Sequence, residues 1–68
     1  MGYKIKDVRE QKGLTQEELA LKSGVSRTTI VGLEKGTLKH TTTKTLLSIA
    51  NALGVSVHSI FLLIVFNH

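Results

Sequence analysis

The chain contains no cysteine, no proline and no tryptophan, and its aromatics are limited to Tyr3, Phe61 and Phe66. Each absence removes a class of function. Without cysteine there are no disulfides and no thiolate metal sites. The histidines, His40, His58 and His68, lack metal-ligand spacing, so no metal or other cofactor is expected. No nucleophile is paired with a base, so no enzyme activity is expected. The shortage of aromatics argues against a platform that stacks unpaired RNA bases. The apolar run from Ile60 to Phe66 is far shorter than the roughly 20 residues of a spanning helix. The N-terminus has no apolar core of the signal-peptide kind. A soluble cytoplasmic chain with no membrane partner is expected, and the 68 residues read as one domain. A domain this small buries only about 60% of its unfolded surface. With no disulfide or metal, its stability must come from good helix design or from a partner subunit.

Charge is also missing from part of the chain. Residues 45–68 carry no Lys, Arg, Asp or Glu. Residues 25–44 carry Arg27, Lys35, Lys39 and Lys44 against Glu34 alone, four minus one, a net of +3. A basic block inside a folded domain suits a polyanionic partner, although a solvated charged face is the plainer reading of charge alone.

What is present is helix punctuation. Gly13, Gly24, Gly36 and Gly54 each follow a helical stretch at the position where a left-handed residue ends it. The first helix spans about Lys4 to Lys12, with Ile5 and Val8 inward. Thr15 and Glu18 form a capping box, and Leu14 and Leu19 a hydrophobic staple, at the start of the second. Ser26 caps the third, with Val25 and Ile30 repeating the staple. Leu46, Ile49, Ala50 and Leu53 give a fourth helix from Thr42 or Thr43 its buried face. Ser56 is expected to cap a fifth, with Val55 and Ile60 as staple. The result is an all-α domain of five short helices.

The second and third helices are separated by a few residues around Gly24, which is helix-turn-helix spacing, over about 15–35. If Ile30 and Leu33 face the core, Arg27, Thr28, Val31 and Gly32 fall on the outer side. Arg27 suits a bidentate contact to guanine O6 and N7, and Thr28 can bond a base edge or set its methyl against thymine. Gln16 opens the preceding helix, where a phosphate can be held. Lys39, His40 and Thr41 follow in a polar loop suited to gripping the DNA backbone.

"GLTQEELALKSGVSRTTIVGLEKG", followed by "LLSIANALGVSVHSIF", resembles the lambda-repressor and Cro family of bacterial and phage regulators. The resemblance runs from about Ile5 to Phe61. It implies a compact lambda-repressor-like fold and a sequence-specific regulator that binds double-stranded DNA through the major groove. It implies base contacts from Arg27, Thr28 and the Gly32 site, with Val31 beside them. It implies phosphate contacts from Gln16, Ser26 and the loop around Lys39, and a structural ion pair between Arg9 and Glu34. The chain departs from the family pattern at Val31 and Gly32, where many relatives carry polar readers. The loop from Thr37 to Thr42 lacks the usual proline. A glycine inside a helix costs about 1 kcal/mol against alanine. Gly32 is expected to let the helix backbone approach the base edges, leaving readout to Arg27, Thr28 and DNA shape; a tolerated glycine with no role is the plainer alternative.

The tail over 60–68 is more apolar than the family requires. Ile60, Phe61, Leu62, Leu63, Ile64, Val65 and Phe66 are apolar on both alternating faces, which suits a dimerising strand or helix buried between two copies. A tail folded onto its own core, or a disordered chain end, is the alternative. A homodimer also fits the function, because two recognition helices about 34 Å apart match one DNA turn and a near-palindromic operator. A repressor acting by occupying that operator is the leading expectation. Its rival is an antitoxin that represses its own operon and binds a toxin through the tail or another face.

Overall fold

The computed structural model describes residues 3–60 of the chain. Five helices follow in order: α1 (Ile5–Gln11), α2 (Gln16–Ser23), α3 (Arg27–Lys35), α4 (Thr43–Leu53) and α5 (Val57–Ile60).

Three of the starts are set by local hydrogen bonds. At α2 the Thr15 hydroxyl accepts from the Glu18 N–H at 3.0 Å, and the Glu18 carboxylate accepts from the Thr15 N–H at 2.8 Å. Ser26 Oγ accepts from the Thr29 N–H at 3.2 Å, and Thr42 Oγ1 from the Thr45 N–H at 3.1 Å. Each such cap satisfies an N–H that has no partner inside the helix. α5 differs from expectation. The Ser59 N–H goes to the Ser56 carbonyl at 3.0 Å, and the Ser56 hydroxyl meets the Ser59 hydroxyl at 3.4 Å instead of capping a backbone N–H. α1 starts without a side-chain cap at Lys4, whose N–H is bound by the Ile60 carbonyl at 2.7 Å. That bond ties the start of the fold to the end of α5.

Gly24 ends α2 at φ 73, the left-handed region where a Cβ is costly. This turns the chain sharply enough for Val25 and Ser26 to start α3 at once. α2 packs against both α3 and α4, and α1 packs against α3 and α5. The shared core holds Ile5, Leu19, Ile30, Leu33, Leu46, Ile49, Ala50, Leu53 and Ile60. The three staple partners Leu19, Ile30 and Ile60 are fully buried, with Leu14, Val25 and Val55 packed half-buried on the same cluster. Burying a side chain of this size contributes about 1.5–3 kcal/mol, so the staples join helix starts directly to core formation.

Ile60 corrects one expectation. It has no exposed surface and belongs to the core of its own chain, between α1 and α4, so it is not an interface residue. The rest of the expected interface, Phe61, Leu62, Leu63, Ile64, Val65 and Phe66, lies outside the described residues.

Candidate nucleic-acid interface

Helix α3 is held from one side and open on the other. Ile30 and Leu33 anchor α3 in the core. Arg27 and Thr28 are exposed in its first turn and Val31 is half-buried. The three line one shallow concavity on the outer surface. This follows from helical phase: at about 3.6 residues per turn the sector of 27, 28 and 31 is centred about 140° round the helix from that of 30 and 33. Arg27 thus presents five guanidinium donors, and Thr28 a hydroxyl and a methyl, side by side.

Ser26 sits at the mouth of this face, exposed, with its hydroxyl in use. It accepts from the Thr29 N–H and donates to Thr29 Oγ1 at 2.9 Å. Its established role is to start α3 in the right place.

A polar network sets three of the helices against one another. Arg9 Nε donates to Glu34 Oε2 at 2.7 Å and Arg9 Nη2 to Glu34 Oε1 at 3.1 Å. Arg9 Nη1 donates to the Leu14 carbonyl at 2.8 Å. The Arg9 and Glu34 side chains are only 9% and 3% exposed. The hydrogen bonds to Glu34 raise the guanidinium pKa above its ordinary value, against the opposing effect of burial. Arg9 therefore stays charged throughout the usable pH range. Gln16 joins the network, its Nε2 donating to Glu34 Oε1 at 3.0 Å. Glu34 of α3 thereby holds Arg9 of α1 and Gln16 of α2. The amide nitrogen of Gln16 can donate twice, and the bond to Glu34 uses one of its hydrogens. The link from Gln16 to Glu34 was not anticipated from sequence, because the two are 18 residues apart.

The loop after α3 carries Lys39 and His40 exposed and Thr41 half-buried. The Lys39 carbonyl accepts from the Tyr3 hydroxyl at 3.4 Å.

Gly32 differs from its expected position. It is buried, with the departing loop folded over it. A Cβ on Gly32 would stand 2.9 Å from the Leu38 Cβ. Gly32 therefore faces Leu38, not an open groove, and it is not a base contact. Helical phase alone put it outside, because the return of the chain through Thr37 and Leu38 is not visible in helix periodicity. The packing of Leu38 against α3 is the contact that sequence reasoning missed. Its signal was an apolar residue just past a helix-ending glycine, a common companion of the left-handed C-terminal turn.

Among the described residues no group of three His, Cys, Asp or Glu side chains is placed to hold a metal, and no helix is long and apolar enough to cross a membrane.

The chain matches the family model described as helix-turn-helix over residues 5–60. It is 44% identical over 62 residues to an uncharacterized HTH-type transcriptional regulator of Methanocaldococcus jannaschii, covering 91% of this chain and 92% of that protein. Its structure is similar to that of the restriction-modification controller protein C.AhdI from Aeromonas hydrophila, with a TM-score of 0.79 and 33% identity over 85% of this chain and 86% of the other. It is also similar to SinR, the master regulator for biofilm formation, solved in complex with DNA, with a TM-score of 0.78 and 33% identity over 81% and 87% of the two chains.

Proposed function

The chain belongs to the helix-turn-helix family, as a DNA-binding transcriptional regulator of lambda-repressor-like fold, and we propose that it acts in the cytoplasm as a homodimeric repressor. It occupies a near-palindromic operator with α3 in the major groove. Arg27 and Thr28 read base edges, with Val31 supplying apolar contact. Gln16, Ser26 and the loop residues Lys39, His40 and Thr41 take backbone phosphates. The copies associate through residues 61–66.

The observation that carries this reading is the exposure of Arg27 and Thr28 on one open face of a helix whose other face is fixed in the core by Ile30 and Leu33. Side chains at the start of a second helix so held are the ones that reach base edges in this motif. The basic excess of residues 25–44 supports an anionic partner. Repression needs only occupancy, and no reaction is asked of these residues.

Anisotropy titrations of labelled duplex at several salt concentrations test the reading. Binding must weaken as salt rises, because each neutralised phosphate releases counterions. Affinity that is flat with salt contradicts it.

A further inference from the structure

Gly32 is the one crowded glycine among the described residues. A Cβ there would lie 2.9 Å from Leu38 Cβ, 3.6 Å from Thr37 Oγ1 and 3.7 Å from Leu38 Cδ2, whereas nothing lies within 4 Å of a Cβ at Gly13, Gly24, Gly36 or Gly54. The 2.9 Å approach is to a Cβ, held by its backbone, so it cannot be relieved by turning a flexible side-chain end.

The carbonyl of Gly32 is equally occupied. It accepts from the Gly36 N–H at 3.0 Å, the Leu38 N–H at 3.0 Å and the Thr37 hydroxyl at 3.4 Å. Three donors from the departing chain thus converge on one oxygen of the recognition helix. Lys39, the first basic residue beyond it, follows Leu38 directly, and His40 and Thr41 come next.

We propose that Gly32 is a positioning residue for DNA-backbone contact. Its missing side chain seats Leu38 on the flank of α3, and this joint sets where Lys39, His40 and Thr41 stand relative to Arg27 and Thr28. The inference rests on the DNA-binding reading above. Readout by the helix and grip by the loop are then coupled through one close contact. The joint is the backbone approach itself, the Leu38 N–H on the Gly32 carbonyl at 3.0 Å, so it needs room at position 32 and not the Leu38 side chain, which is 37% exposed. A glycine fits this helix interior, where alanine has the better propensity, because the loop occupies the space of a methyl group.

The test compares the salt dependence of binding to one duplex for the wild type, Gly32→Ala and Gly32→Ala/Leu38→Gly, with hydrogen exchange at the Leu38 amide. Gly32→Ala is expected to bind about tenfold more weakly, with a log–log salt slope shallower by about one to two, the loss of one or two phosphate contacts. The Leu38 amide is expected to exchange faster. The double variant removes the opposing Cβ and is expected to recover the wild-type slope. It carries the test if Gly32→Ala does not fold. An unchanged slope in a folded Gly32→Ala, or a double variant no better than the single one, overturns the proposal. Wild-type protein that binds no duplex instead refutes the underlying DNA-binding reading, and that result is seen before any variant is compared.

Discussion

Arg9 and Glu34, 25 residues apart, meet through two hydrogen bonds, at 2.7 and 3.1 Å, with both side chains buried. The pair fixes the first helix to the end of the recognition helix. Removing one partner leaves the other charge buried and unpaired, which costs about 3–5 kcal/mol. Glu34→Ala strips the anchor from Gln16 as well as from Arg9. Thermal melts are expected to show a fall in Tm of more than about 10 °C for a domain of this size. A change of a degree or two would mean that the carboxylate contributes little to the fold.

Ser26 offers a separable pair of roles. Its hydroxyl caps α3 through the Thr29 N–H. Ser26→Ala is expected to lower stability by about 0.5–2 kcal/mol. Measured beside it, the salt slope of DNA binding tells cap from phosphate contact. A slope shallower by about one means that the hydroxyl also meets a phosphate, and an unaltered slope means that capping is its whole role.

Ile30 has no exposed surface and holds the recognition helix in the core. Ile30→Val is expected to cost about 0.5–1.5 kcal/mol and Ile30→Ala about 2–5 kcal/mol. Against the marginal stability of a short chain, the alanine variant is expected to lose most of its helical circular dichroism at 37 °C. Native helicity at that temperature would show that α3 is held by something other than this anchor.

Deleting residues 62–68 leaves Ile60 in the core and removes most of the proposed interface. Sedimentation equilibrium is expected to shift from dimer to monomer, with the melting curve of the domain largely kept. An intact dimer would move the interface to another face.

The local parts of this fold were legible in the sequence. Thr15 with Glu18, and Ser26 with Thr29, are capping contacts three residues apart, so spacing alone exposes them. The same holds for Leu46, Ile49, Ala50 and Leu53, whose period is that of the helix they bury. The long-range parts were not. Arg9 and Glu34 are joined by the packing of α1 on α3, and only family resemblance suggested the pair. Ile60 carried two readings, staple partner of Val55 and first residue of an apolar interface run, and its burial in the core agrees with the first. Gly32 shows the same limit at the interface itself. Its phase on α3 is correct, but the chain that covers it comes from a loop whose path periodicity does not describe.

In vitro selection of bound duplexes from a random pool, run in parallel with wild type and Arg27→Ala, tests the central claim most directly. The wild type is expected to enrich a near-palindromic site with half-sites about one helical turn apart. Arg27→Ala is expected to enrich the same site with preference relaxed at one base pair in each half, at a cost of about 1–3 kcal/mol. A wild-type pool with no enriched sequence, or an Arg27→Ala pool identical to it in preference and affinity, would contradict sequence readout by the first turn of α3.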